Sequence, residues 1–336
     1  MFFRNFLACL SAVATAIAAA PALRAEAPRV VADIAPVAAL VAEVAGDRFE
    51  PALLVRGAAD PHHMQLKPGE ARAIASADLV VWVGPELTPW LADALDNLAP
   101  RARRLTLLDV PGTITRAPLF ADPRASEEAP AGLHGHESGH DHEHGGDQAH
   151  THAEDAHHSH DHAHGTRDPH AWLDPANAAV WVEAIAEALA EIDPGAAMHY
   201  RENARAGQAR IAQAEAAVRE RLAALGEIGL IVQHDAWAHF ADRFGLHIRA
   251  SLADSDATAA GAHRMAWLRE TLATGELLCL VAEAPAPSPA MRRLAADTGL
   301  PMVVVDFLGL ELRAAQGEYA RLILGLAESL AQCARR

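Results

Sequence analysis

Three histidines occupy similar positions along the chain. His62 lies in "GAADPHHMQLKP", His170 in "DPHAWLDP" and His234 in "IVQHDAW". Each is at the exit of a strand-like run or in a loop that follows one, and in open parallel sheets ligands bind outside the carboxyl ends of strands. Asp306 ends "PMVVVDFLG" in the same manner. Three neutral imidazoles and one carboxylate, drawn from both halves of the chain, make a donor set that suits Zn2+. Oxygen-rich sets suit manganese and magnesium better, and affinity order alone leaves copper and nickel open. Each residue also has a plainer reading. A histidine beside a strand serves as a hydrogen-bonding or titrating group, and Asp306 serves as a turn or cap residue. His63 competes with its neighbour His62 for the ligand role. His199, His239 and His263 fall in helical sequence and read as solvated positions. Glu283 ends a core strand and either approaches the cleft or leaves the sheet with "APAPSP".

A separate run, "HGHESGHDHEHGGDQAHTHAEDAHHSHDHAHG" at 134–165, holds 12 of the 20 histidines. It carries almost no apolar side chains and has neither helical nor strand period. Such a segment cannot bury enough surface to offset the entropy of ordering, so 125–167 reads as a disordered loop. Its imidazoles would raise the local metal concentration beside a tighter cleft. The plain alternative is a passive linker or a low-affinity sponge.

The elements that must position these residues follow from apolar runs. "RVVADI" (29–34), "PALLV" (51–55), "DLVVWVG" (78–84) and "RRLTLLDV" (103–110) precede the histidine run. "IGLIVQ" (228–233), "HIRASL" (247–252), "LLCLVAE" (277–283) and "PMVVVD" (301–306) follow it. Short, near-continuous apolar runs are expected of parallel strands covered on both faces. Helical stretches lie between them, among them "PVAALVAEVAG", closed by Gly46. Alternating strands and helices give an α/β chain with parallel sheets. Asp174-Pro175 and Asp193-Pro194 each have the form of an N-cap followed by proline in the first turn. From Pro194 to Gly226 one long helix is expected, with Ile211, Ala214, Val218, Leu222 and Leu225 on its apolar face. It is too long for a crossover inside one sheet and reads as a rigid connector across two lobes.

At 336 residues with 51% hydrophobic composition the chain has room for two ordinary domains. A net charge of −16 argues against nucleic acid and against an anionic membrane surface. "MFFRNFLACLSAVATAIAAAPALRAEAP" has the layout of a cleavable signal peptide ending near Ala25, so the mature chain is expected to be exported. Two cysteines then remain, Cys279 and Cys333, which in an exported chain form either a disulfide or two buried thiols.

Taken together, "GAADPHHMQLKP", "ADLVVWVGPELTPWL", "DPHAWLDP", "HDAWAHFADRFGL", "LVAEAPAP" and "VVVDFLGL" resemble the periplasmic metal-binding proteins of ABC importers. Within that manganese/zinc group the chain is most similar to the zinc-specific ZnuA type. The resemblance covers nearly all of the mature chain and implies two α/β lobes with parallel sheets flanked by helices. One long rigid helix joins them, with the metal site in the interlobe cleft. The expected division is a signal peptide at 1–25, an N-terminal lobe at 26–193, a connecting helix at 194–226 and a C-terminal lobe at 227–336. Carried onto this sequence, His62, His170 and His234 match family ligands, and Asp306 matches the aspartate that ligates in manganese members. Histidine at 234, where manganese members have glutamate, points to zinc. Pro61 stands where some zinc members have a glutamate, which leaves the fourth ligand open among Asp306, water and a loop side chain. Cys279 and Cys333 lie where zinc members carry their disulfide.

The implied function is periplasmic Zn2+ capture and delivery to an ABC permease of the inner membrane, by a monomer that is not an enzyme. A periplasmic metallochaperone is a further candidate partner. Competing readings are a zinc-dependent hydrolase, since three histidines and a water also describe a catalytic metal, and a manganese- or iron-binding member of the same group. The chain has no HExxH motif and no nucleophile elbow.

Overall fold

A computed structural model of the chain describes residues 27–120, 167–253 and 262–335. The expected leader (1–25) and all but the last residue of the histidine-rich segment 125–167 lie outside the described residues. Among the described residues, eight strands form two four-stranded, all-parallel sheets.

The first sheet runs β2-β1-β3-β4 and is built from β1 (Val30–Ala32), β2 (Ala52–Leu53), β3 (Leu79–Trp82) and β4 (Arg103–Thr106). Helices α1 (Ala35–Ala45), α2 (Pro68–Ala75) and α3 (Pro89–Leu98) link them. Side chains alternate between the two faces of a strand, and here both faces are covered. Val31, Val80 and Trp82 pack with Ile74, Leu91 and Leu95, while Val30, Leu79 and Val81 point into the main core with Val37 and Leu40. That double burial is why "LVVW" reads as a continuous apolar run.

The second sheet repeats the plan in the order β6-β5-β7-β8. It comprises β5 (Gly229–His234), β6 (His247–Ala253), β7 (Leu278–Glu283) and β8 (Met302–Val305). Between the sheets come α4 (Pro175–Ile192) and α5 (Ala197–Leu222). Within the second lobe come α6 (Ala238–Phe244), α7 (Ala262–Ala273), α8 (Pro289–Thr298) and α9 (Glu318–Leu330). Leu230, Val232, Cys279 and Val281 face the main core, and Ile231, Leu280 and Ala282 face a separate cluster with Met291.

Helix α5 is the long connector. Its 26 residues span about 39 Å at 1.5 Å each, with 3-10 turns at 194–196 and 223–225 on its ends. Ile211, Ala214, Val218 and Leu222 are buried along one face. The helix packs against α1, α4 and α9. Complete burial of a valine such as Val218 contributes about 1.5–3 kcal/mol.

Polar contacts fix the same joint. Asp174 caps α4 as expected, accepting from the Ala176 amide at 2.9 Å. Asp193 makes no such cap. Its carboxylate instead accepts from the Arg48 guanidinium at 2.7 Å and from the Tyr200 hydroxyl at 2.7 Å, because a half-buried cation is a stronger partner than a backbone amide. Glu43, buried on α1, takes the Arg210 guanidinium of α5 and the Gly317 amide, 2.6 Å away, just before α9. Gly207 of α5 lies over it so closely that a Cβ there would sit 2.7 Å from Glu43 Cγ. Cys279 on β7 and Cys333 form a disulfide that ties the C-terminal turn to the core of the second sheet.

Candidate metal centre

Each of the three sequence-predicted histidines is presented by a short, well-anchored piece of backbone. His62 sits in a one-turn 3-10 helix, Pro61–His63, whose first amide is capped by Asp60. The Asp60 carboxylate accepts from the His62 amide at 2.8 Å, and the Trp90 indole holds the Pro61 carbonyl at 2.8 Å. His170 opens another 3-10 turn, Ala171–Leu173, and is buried. His234 is the last residue of β5 and is buried too.

The structure brings these rings together. The His62 and His170 centroids are 5.8 Å apart and those of His170 and His234 5.1 Å apart. Two buried carboxylates decide which nitrogen faces inward. Asp168 Oδ1 lies 2.6 Å from His170 Nδ1, and Glu283 Oε1 lies 2.7 Å from His234 Nδ1. Ionised carboxylates only accept, so each Nδ1 donates and each neutral ring turns the lone pair of Nε2 toward the other. Those two Nε2 atoms are 3.3 Å apart. A proton or a cation between them would satisfy both. Two nitrogens bound tetrahedrally at 2.0–2.1 Å would be about 3.3 Å apart, so the pair fits zinc. His62 Nε2 is buried and has no hydrogen-bond partner, which is a standing cost of about 1–3 kcal/mol unless a ligand takes it. Burial, and then the neighbouring His170, push the His62 imidazole down to about 4, which keeps its lone pair available at neutral pH. Burial likewise raises the Asp168 carboxyl to about 6, which still leaves it ionised at pH 7.

The set is not closed. Among the described residues no group of three or more His, Cys, Asp or Glu donors already stands at metal-holding spacing. Asp306, the fourth sequence candidate, caps the turn that follows β8. Its two oxygens accept from the Gly309 and Leu310 amides at 2.7 Å each, and burial raises its pKa. Its neighbour Phe307 reaches the rings, with centroids 6.2 Å from His170 and 5.4 Å from His234, and stacks on Trp172. Phe307 thus packs an apolar ring against both imidazoles.

Sequence reasoning passed over Asp168 and Phe307 and left Glu283 undecided. The signals were present. Asp168 lies two residues before His170, close enough to grip its own ring, and Glu283 ends the strand paired with β5. His239, expected on a solvated helix face, is completely buried. Helix α6 docks on the loop that carries His170, and the docked face holds His239. His63 remains exposed beside the site, its Nδ1 2.9 Å from Asp60 Oδ2.

Residues 30–333 match the family model described as "ZnuA: Zinc-uptake complex component A periplasmic". The "High-affinity zinc uptake system protein ZnuA" of Paracoccus denitrificans is 39% identical over 323 residues, covering 96% of either chain. A solved structure described as "Crystal structure of ZnuA" superposes with a TM-score of 0.68 at 20% identity, covering 91% of this chain and 98% of that one. FpvC of Pseudomonas aeruginosa, solved in complex with Mn2+, superposes with a TM-score of 0.66 at 16% identity, covering 92% of this chain and 98% of that one. At those identities the two superpositions establish the fold, and a fold shared with a manganese complex does not select the metal.

Proposed function

The chain belongs to the ZnuA family of zinc-uptake components, and from that premise we propose that it captures Zn2+ in the periplasm and delivers it to an ABC permease of the inner membrane. The observation that carries the reading is the convergence of three imidazoles: Nε2 of His170 and Nε2 of His234 lie 3.3 Å apart with a carboxylate behind each ring, and the buried Nε2 of His62 has no hydrogen-bond partner. His62, His170 and His234 are the protein ligands, with His62 closing onto the other two when the ion arrives. Asp306 is held by two backbone amides, and water is the ligand read into the fourth position. An exchangeable fourth position suits cargo that must be released, whereas structural zinc sites are closed by four protein ligands.

Three imidazoles favour zinc over manganese, whose preferred donors are oxygens. The histidine-rich segment acts as a collector that supplies the cleft. Ligation needs neutral imidazoles, so its capture of metal weakens below about pH 6.5. Binding and release require no chemical step, and the chain is assigned no catalytic role.

The deciding experiment is a zinc titration against a chromophoric chelator, with excess manganese, of the protein lacking 134–164. One tight site, lost in His234→Ala and kept in Asp306→Ala, is expected. No tight site without the segment would place binding in the histidine run and not in the cleft. Loss in Asp306→Ala would return the fourth position to Asp306.

A further inference from the structure

The loop that carries His170 belongs to the N-terminal half of the chain, yet much of its anchorage comes from the C-terminal half. Helix α6 presents His239, Asp242 and Arg243 at spacings of three and four, on one face. Arg243 holds Asp174 with two bonds, at 2.6 and 2.9 Å, and Asp242 pairs with Arg116. Just before the helix, Asp235 accepts from the amides of Leu119 and Phe120, at 3.2 and 2.7 Å. His239 is the innermost member. Its Nε2 lies 3.1 Å from the Asp168 carbonyl oxygen, and the ring has no exposed surface. A carbonyl only accepts, so Nε2 must carry the proton. The other nitrogen, Nδ1, is then a buried acceptor, and it has no hydrogen-bond partner. Leaving that acceptor unsatisfied is unfavourable, and an apolar side chain would fill the space without the penalty. What such a side chain could not do is donate to Asp168.

We propose that His239 is a positioning residue for the metal site. By holding the Asp168 backbone it fixes the carboxylate that orients His170, and so it sets how long the cleft keeps its ion. The Asp168 amide is tied to the Arg116 carbonyl at 2.6 Å and its Oδ1 to both the amide and Nδ1 of His170. The His239 bond completes this grip from the opposite lobe. His170 is therefore correctly aimed only while α6 is docked. Separating the lobes would release the Asp168 backbone, and with it the tautomer and direction of one ligand. Docking of the lobes and affinity for the ion become a single coupled event.

This inference rests on the three-histidine reading of the site, and the test separates the two. In the full-length protein loaded with one zinc, release into excess chelator should show a slow phase from the cleft, distinct from faster release by the histidine run. His239→Gln keeps an N–H able to reach the carbonyl. His239→Met has nearly the same length and no donor. The expected result is a slow phase about tenfold faster in the Met variant than in the Gln variant, with the visible bands of the cobalt-loaded protein shifted only for Met. Equal release rates and identical cobalt spectra for the two would overturn the role of His239. If His170→Ala retained the slow phase, the site assignment itself would be at fault, whatever the His239 variants did.

Discussion

Glu283→Gln removes one negative charge from behind His234 while keeping the shape of the side chain. The carboxylate oxygen is 2.7 Å from Nδ1. With the ring's width of roughly 2.2 Å and a metal–nitrogen bond of about 2.0 Å, the charge lies about 7 Å from an ion on Nε2. At an effective dielectric constant near 20, a unit charge and a divalent ion at that separation attract by about 5 kcal/mol. Much of this is offset by the desolvation that a buried carboxylate already bears. Loss of a carboxylate behind a metal-bound histidine usually weakens affinity about 10- to 100-fold, or about 1.4–2.7 kcal/mol. The glutamine can still accept from Nδ1 through its carbonyl oxygen, so the lower end is expected for Gln and the upper end for Glu283→Ala. Competition with a chelator of known affinity, on protein lacking 134–164, measures it directly. The metal-free melting temperature should change little between wild type and Gln, since the hydrogen bond persists. Unchanged zinc affinity in both variants would refute the argument that the carboxylate sets the donor nitrogen.

Other expectations follow from groups away from the imidazoles. Asp33 is fully buried, and burial raises its carboxyl from 3.8 to about 7. The unfolded chain therefore loses this proton before the folded chain does. Stability falls as pH rises from about 4 to 7 and levels off above that, a component of about 1.4 kcal/mol per pH unit that should vanish in Asp33→Asn when urea midpoints are compared. Asp193→Ala strips the Arg48 cation of its carboxylate and leaves the Tyr200 hydroxyl without an acceptor. A loss of about 2–4 kcal/mol in chemical denaturation is expected. Breaking the Cys279–Cys333 bridge, which spans 54 residues, should cost about 4 kcal/mol on chain-entropy grounds. Cys333→Ser and reduced wild type should then unfold at the same lowered urea concentration.

Much of the architecture was legible because it rests on local burial. All eight apolar runs became strands, since a strand covered on both faces leaves no polar interruption to confuse the reading. The long helix and its buried face could be read from spacings of three and four. Less legible was whatever depends on register between distant segments. His234 and Glu283 each lie two residues beyond the paired Val232 and Val281, a coincidence visible only once β5 and β7 are adjacent. His239 was misread because α6 has only seven residues and docks on a loop some 70 positions earlier. Asp193-Pro194 has the form of a cap, but Arg48 and Tyr200 arrive from elsewhere and take the carboxylate. Asp306 could be read as a strand-end carboxylate, but that its oxygens accept from the Gly309 and Leu310 amides could not be foreseen.

The crowding of Glu43 under Gly207 has a consequence for how this chain can vary. An alanine at 207 would collide with Glu43 Cγ, while a shorter acid at 43 would fall short of Arg210 and the Gly317 amide. Neither position can drift alone, so substitutions at 43, 207 and 210 are expected to be inherited together across lineages. Chimeras are constrained in the same way. A recombinant that takes α1 from one parent and α5 from another should misassemble unless the Glu43–Gly207 pair crosses over as a unit. Breakpoints placed after α5 keep that pair in one parental block.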